Sequence, residues 1–412
     1  MKKRRVVVTG VGTINPVGKN VNETWDGLLN GKSGIARITN FNPDEYQSQI
    51  AGEVKDYNPK DYFSRKKAKK LDIYSQYGLI AADEAVKDSQ ILDNYNPDKA
   101  GVITGVGIGG ILTLEKQNER LLKRGPRRVS PFFVPKMISD IAAANISIKY
   151  NFKGINFNVV SACASANHAI GTAFRSIQFG DADVIVTGGT EASVTPLSVA
   201  GFCSMKALST RNNDPQKASR PFDAERDGFV MAEGAGFLIL EELEHALARN
   251  AKIYAELSGY GMTADAFHIT APAEGGEGGV RAMKMALEDS NKKPEDIDYF
   301  NAHGTSTPLN DKNETMSIKT VFGEYSKKLK ISSTKSMVGH MLGAAGGIEA
   351  IVSCKTIQDN KIHPTINLAN PDPECDLDYT TDNFIEKEVD IVMSNSLGFG
   401  GHNGVLIFEK YK

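Results

Sequence analysis

Short apolar runs closed by glycine recur along the chain, separated by stretches in which apolar residues return every three or four positions. The runs read as buried strands and the stretches as helices with one packed face. Arg5-Val-Val-Val-Thr-Gly10 predicts a first strand, and Val21 to Leu29 a short helix carrying Trp25. A helix is expected over Asp72 to Ser89, with alanine and isoleucine on its inner face, then a buried strand over Ala100 to Gly105. Gly154 to Val160 alternates apolar and polar residues, the period of a strand with one buried face. Ala166, Ile170, Ala173, Phe174 and Ile177 follow at helical spacing, and Gly180 is placed to stop that helix. Asp183 to Gly189 predicts a strand ending in a diglycine turn. Phe237 to Leu240 predicts another strand, and Glu241 to Asn250 a helix.

From Ile253 the alternation starts again. Ile253 to Gly261 reads as a strand, Gly279 to Ser290 as a helix, and Ile297 to Asn301 as a strand. A helix over Lys312 to Phe322, a strand over Lys330 to Ser333 and a helix over Gly343 to Gln358 follow. Ile391 to Ser394 and Gly404 to Phe408 close the chain as a strand pair. Both halves open on a strand, alternate strands with helices and end on a strand pair. The pattern predicts one α/β unit used twice, an N-terminal half over 1–250 and a C-terminal half over 251–412. No low-complexity linker divides them, so one compact body is expected.

The segment Ser161-Ala-Cys-Ala-Ser-Ala-Asn-His-Ala-Ile-Gly171 puts Cys163 on a strand-to-helix turn. Unpaired N–H groups and the helix dipole favour negative charge there. A thiol that ordinarily titrates near ~8.5 is expected to fall below that value and act as a thiolate nucleophile. A free cysteine is also commonly a small core residue. This stretch alone leaves both readings open.

Composition changes the picture mainly by exclusion. With 412 residues the chain is long enough for two or three domains, and 41% hydrophobic with 24% charged residues is ordinary for a soluble protein. A net charge of −2 argues against non-specific nucleic-acid binding. The four cysteines (Cys163, Cys203, Cys354, Cys375) lie far apart, which fits neither a disulfide framework nor a zinc site. The basic start leads into only three valines before Thr9, too short for a signal peptide. No apolar run approaches the ~20 residues of a membrane span. A soluble, reducing, cytoplasmic setting is expected.

Two of the seven histidines sit in glycine-rich surroundings: Asn301-Ala-His-Gly-Thr-Ser-Thr-Pro308, and Lys335-Ser-Met-Val-Gly-His340 ahead of a small-residue helix. Glycine lets the backbone approach a ligand closely. Cys163, His303 and His340 all follow strands, where open α/β sheets bind ligands. The last loop, Asn395-Ser-Leu-Gly-Phe-Gly-Gly-His-Asn403, offers free N–H groups around Phe399 that suit an oxyanion hole or a plain hairpin turn. Gly105-Val-Gly-Ile-Gly-Gly110 matches a dinucleotide fingerprint, but the acidic residue expected about 20 residues on is missing. No nucleotide cofactor is expected. Two basic clusters, Arg65 to Lys70 and Lys123 to Arg128, read as solvated faces or as a patch that steers an acidic partner.

Together these residues resemble the β-ketoacyl-[acyl-carrier-protein] synthases, most closely the type II enzymes of dissociated fatty acid synthesis. The resemblance runs from Arg4 to Gly401 and rests on Ser161-Ala-Cys-Ala, Asn301 to Pro308, Ser333-Thr-Lys-Ser-Met-Val-Gly-His340 and Ser394-Asn-Ser-Leu-Gly-Phe-Gly-Gly401. It implies a thiolase-like, duplicated five-layer α/β/α/β/α fold, a homodimer, and no metal or cofactor. It implies a decarboxylative Claisen condensation. Cys163 would take an acyl group from acyl carrier protein, and malonyl carrier protein would lose CO2 and attack it. His303 and His340 would stabilise the enolate, supported by Lys335 and Glu349. Phe399 would gate the nucleophile, its N–H joining that of Cys163 in the oxyanion hole. Thr305 and Thr307 match positions that hold the pantetheine arm, and Ile108 and Phe202 positions in the acyl pocket. Arg65, Lys69, Arg127, Arg128 and Lys206 match the docking surface for the acidic carrier protein.

Two departures from the family pattern, Ser165-Ala-Asn-His168 and His402, bear on the acyl preference. Among alternatives, a thiolase would carry a second catalytic cysteine near the end of the chain. A type III synthase would pair its cysteine and histidine with an asparagine. A non-catalytic chain-length partner subunit would lack the nucleophile. A polyketide condensing enzyme would share every catalytic residue.

Overall fold

The computed structural model describes residues 3–381 and 383–412. Ten strands make up its main sheet. In chain order they are β1 (Val6–Ile14), β2 (Ala100–Gly105), β3 (Asn156–Val159), β4 (Val184–Glu191), β5 (Gly234–Glu242), β6 (Ala255–Ala264), β7 (Tyr299–Asn301), β8 (Lys330–Ser332), β9 (Ile391–Gly398) and β10 (His402–Glu409). Their spatial order is β8-β7-β9-β10-β6-β1-β5-β4-β2-β3. Read outward from the central β1–β6 pair, each side runs first, fifth, fourth, second and third strand of its own half. The directions repeat as well: two antiparallel pairings, then two parallel ones, on either side.

Helices cover and divide this sheet. The principal ones are α1 (Val21–Leu29), α2 (Ile73–Ser89), α3 (Ser165–Gln178), α4 (Glu277–Ser290), α5 (Pro308–Phe322) and α6 (Ala345–Asp359). The apolar stripe Ala169, Ile170, Ala173, Phe174 and Ile177 of α3 meets Ala350, Ile351, Cys354 and Ile357 of α6 in one cluster with strand residues of both halves. A second cluster seats α2 on the outer face of the N-terminal strands. A third seats α4 and α5 on the C-terminal strands. The result is the five-layer α/β/α/β/α arrangement of the thiolase-like fold, with α3 and α6 as the middle layer. These two helices follow equivalent short turns, Ala162–Ala164 and Leu342–Ala344. Each turn opens on a non-glycine residue with positive φ, 49° at Ala162 and 47° at Leu342. Such conformations cost energy and persist only where surrounding structure enforces them.

Two local expectations are corrected. Gly188 and Gly189 do not turn the chain; the strand continues to Glu191. A Cβ at Gly188, where φ is 142°, would stand 2.1 Å from the Gly236 carbonyl oxygen, and one at Gly189 2.7 Å from that of Gly343. Gly188 permits close approach to the neighbouring strand, and Gly189 to the turn before α6. In addition, β3 has no buried face: Asn156 and Phe157 are exposed and Asn158 and Val159 half-buried. It is an edge strand, paired among the described residues only with β2.

Candidate active site

Cys163 lies in the turn joining β3 to α3, one short turn ahead of the helix. Ser165 fastens that turn, its hydroxyl donating to the Ala162 carbonyl at 2.7 Å and accepting from the Ser161 N–H at 2.9 Å. The β9–β10 loop presses on it from the other side. A Cβ at Gly398 would stand 2.8 Å from the Ser161 carbonyl oxygen and 3.2 Å from the Cys163 nitrogen. Only glycine allows the loop so near. The N–H groups of Phe399 and Cys163 itself face the sulfur and favour its thiolate, as does the Lys335 ammonium.

Burial outweighs these effects. Cys163 packs among Val194, Val199, Cys203 and Leu342, and desolvation pushes its thiol up to about 11. The sequence expectation of a lowered value is therefore corrected. Position near a helix start does not offset a wall of aliphatic side chains, and the resting group is a neutral thiol. Because thiolate is the reacting form, alkylation of Cys163 by iodoacetamide is expected to accelerate ~tenfold per pH unit from pH 7 to 10. A rate that levels off near pH 7 would contradict this.

His303 follows β7, and His340 lies between the short Lys335–Val338 helix and the turn before α6. Their rings stand edge to face with centroids 5.3 Å apart, and both residues are buried. Burial first, then the Lys335 ammonium and His340, holds the His303 pKa well below 6.5. Burial and Lys335 do the same to His340. Both imidazoles are neutral near pH 7. Lys335 Nζ lies 3.3 Å from His303 Nδ1. An ammonium has only donors, so Nδ1 accepts and the ring proton is assigned to Nε2. Neither ring nitrogen of His340 has a partner among the described residues. A buried donor left unpaired is costly, and here it is free to meet an oxygen entering the cavity.

Lys335 pairs with Glu349, and both are almost wholly buried. Burial pushes the Glu349 carboxyl up, while the adjoining ammonium and the Ser396 hydroxyl pull it back. Glu314, on α5, was not singled out in the sequence. Its carboxylate accepts from the N–H groups of His303 and Gly304, both at 2.7 Å, and from Asn395 at 2.9 Å. It fixes the backbone that presents His303.

These groups converge on one cavity of about 600 Å³, whose lining includes Cys163, His303, His340, Phe399, Phe202 and Ile108. Thr305 and Thr307 line it too, with hydroxyls 2.9 Å apart, and Lys206 stands at its wall. Phe399 and Phe202 have ring centroids 6.5 Å apart, and Phe229, also missed in the sequence, stands edge-on to His340 at 5.3 Å. Arg65, Lys69, Arg127 and Arg128 are not part of this cavity. They are exposed, on two segments joined where the Lys70 ammonium lies 5.1 Å over the Phe132 ring. His168 and His402 do not line the cavity either. They meet each other behind the glycine loop, centroids 6.3 Å apart, with His168 Nε2 3.1 Å from the Asn403 carbonyl oxygen.

Two family models match, the β-ketoacyl synthase N-terminal domain over residues 3–246 and its C-terminal domain over 254–369. The chain belongs to the β-ketoacyl synthase family. Across its full length this synthase is 52% identical to 3-oxoacyl-[acyl-carrier-protein] synthase 2 of Staphylococcus aureus strain COL, covering 99% of that protein. It is 51% identical, over 413 aligned residues, to the protein of the same name from Synechocystis. A β-ketoacyl synthase from Burkholderia phymatum superposes with a TM-score of 0.92 at 35% identity, covering 99% of this chain and 100% of that one. A type II polyketide ketosynthase, solved in complex with its acyl-carrier protein, superposes with a TM-score of 0.91 at 36% identity, each chain fully covered.

Proposed function

We propose that this synthase elongates fatty acids by condensing a Cys163-bound acyl group with malonyl-[acyl-carrier-protein], giving 3-oxoacyl-[acyl-carrier-protein] and CO2. The observation that carries the mechanism is the convergence of one thiol and two neutral imidazoles in a single cavity. In the first half-reaction the Cys163 sulfur attacks the acyl thioester carbonyl. The oxyanion receives the N–H groups of Cys163 and Phe399, and the pantetheine thiol leaves with the proton that the cysteine gives up. In the second, the malonyl carboxylate departs as CO2 and its bonding pair moves into an enolate. The Nε2–H of His303 and the ring N–H of His340 donate to the enolate oxygen, stabilising charge where it forms. The enolate carbon attacks the acyl carbonyl and Cys163 leaves as thiolate. No cofactor enters the scheme.

The other assignments support the same scheme. Thr305 and Thr307 hold the pantetheine arm in the cavity mouth, and Ile108 and Phe202 border the acyl chain. Lys335 and Glu349 position His303. The exposed Arg65, Lys69, Arg127, Arg128 and Lys206 form the surface that receives the acidic carrier protein. Charge reversal at Arg127 and Arg128 together is expected to raise the KM for carrier-protein substrates ~tenfold or more at low salt with little change in kcat. An unchanged KM would remove these residues from the interface. The exposed edge of β3, with Phe157 and Val160 uncovered, supports a homodimer formed there. The halves 1–250 and 251–412 supply the nucleophile and the histidines respectively. The four cysteines, all free, suit a cytoplasmic setting.

Identity of 52% to a fatty acid enzyme, against 36% to a polyketide ketosynthase, favours elongation over polyketide assembly. A non-catalytic partner subunit is disfavoured by Cys163. The test is a condensation assay over a series of acyl lengths, with carrier-protein and CoA thioesters compared. Release of one CO2 per 3-oxoacyl product, with carrier-protein substrates preferred, is expected. Product formed from two acyl-CoA molecules without CO2 would mean thiolase chemistry.

A further inference from the structure

The glycine-rich loop Gly105 to Gly110 resembles a phosphate cradle in sequence, yet its donors are already engaged. The N–H of Gly107 donates to Glu191 Oε2 at 2.9 Å, that of Ile108 to Oε2 at 3.1 Å, and that of Gly109 to Oε1 at 3.1 Å. Ser193 adds its hydroxyl at 3.1 Å to Oε1. Glu191 is wholly buried at the end of β4. No lysine or arginine is among these partners, so the loop N–H groups are what hold the carboxylate.

The residue at the centre of that cradle is Ile108. It lines the 600 Å³ catalytic cavity and also a second cavity of about 390 Å³ walled by Ile111, Leu114, Met137 and Val160. Among these residues it alone borders both. The end of the loop also contacts a further segment, where Gly110 N–H donates to the Met137 carbonyl at 2.9 Å. A Cβ at Gly107 would meet Glu191 Oε2 at 2.8 Å. The three N–H bonds to the carboxylate hold the loop in place.

We propose that Glu191 is a positioning residue for acyl-chain length: its carboxylate pins Gly107–Gly109 so that Ile108 separates the two cavities. Ionised, it accepts all three N–H bonds and Ile108 keeps long chains from passing. Protonated, it holds the loop less tightly and long chains pass. Burial raises the Glu191 pKa to about 7, so both forms are populated near neutral pH. The titratable groups facing it are Tyr74 of α2 and Cys163 of the nucleophile turn. The loop 106–109 and the turn 342–344 bring none.

This inference rests on acyl transfer to Cys163, and its test separates the two. Acylation of the full-length enzyme by tetradecanoyl and hexanoyl carrier protein is measured from pH 6 to 8.5. The long-to-short ratio of kcat/KM is expected to rise about tenfold as pH falls through 7, the equivalent of ~1.4 kcal/mol. Glu191→Gln should show the high ratio at every pH, and should add nothing to an Ile108→Ala background. A ratio independent of pH in the unaltered enzyme overturns the proposal, whether or not the glutamine variant folds. Additive effects of Glu191→Gln and Ile108→Ala overturn it as well. Absence of acylation at both lengths overturns this inference and the acyl-transfer reading together.

Discussion

Cys163→Ala is expected to lower 3-oxoacyl product formation by ~10⁴-fold or more, the scale seen when a catalytic nucleophile is removed. Alanine keeps the Cβ and the backbone of the turn, which Ser165 and the Gly398 contact hold independently of the sulfur. The fold should therefore persist, with stability changed by about 1 kcal/mol for the small cavity left among Val194, Val199 and Leu342. His303 and His340 are untouched by the substitution, so malonyl carrier protein should still lose CO2. Product assays and CO2 release, run side by side, check both statements. Condensation that survives in the alanine variant would contradict the assignment of the nucleophile.

Lys335→Ala carries the second largest effect, and it falls on stability as well as activity. The ammonium is the only cation paired with Glu349 among the described residues, and both side chains are 1% exposed. Removing one partner of a buried pair leaves the other desolvated and uncompensated, at a cost of about 3–5 kcal/mol. Denaturant unfolding should show that loss. The variant also frees His303 Nδ1, which accepts from Lys335 at 3.3 Å, so the tautomer that directs Nε2–H into the cavity is no longer enforced. Replacing both residues, Lys335→Met with Glu349→Gln, should recover much of the stability but not the activity, because no donor returns to Nδ1. A double variant as unstable as the single one would contradict the account of the pair.

Much of the fold was legible because its strands are continuous apolar runs and its helices carry narrow small-residue stripes. The repeat was visible in the order of elements. The sheet order that makes it a five-layer body was not, since pairing between β1 and β6 leaves no local mark. Strand ends were misjudged where a charged residue is buried. β5 runs on through Glu241 and Glu242, expected as the start of a helix, because Glu241 is paired inside with Arg249 at 2.7 Å and accepts a hydrogen bond from the Thr9 hydroxyl at 2.7 Å. In the site, the glycine-flanked histidines and the cysteine turn stood out. Glu314 and Glu191 did not, because a carboxylate that binds backbone N–H groups from inside a helix or at a strand end looks like any surface acid. The Cys163 pKa was misread for a related reason: the aliphatic residues that desolvate it come from distant parts of the chain, Val194, Val199 and Leu342 among them.

The most direct test of the central claim is the mass of the enzyme after brief exposure to acyl carrier protein without malonyl substrate. The account predicts a gain of one acyl group per chain, carried by the peptide containing Cys163, discharged as 3-oxoacyl product when malonyl carrier protein is added. The Cys163→Ala variant should gain nothing. An acyl group on any other residue, or condensation with no acylated enzyme detectable, would contradict it.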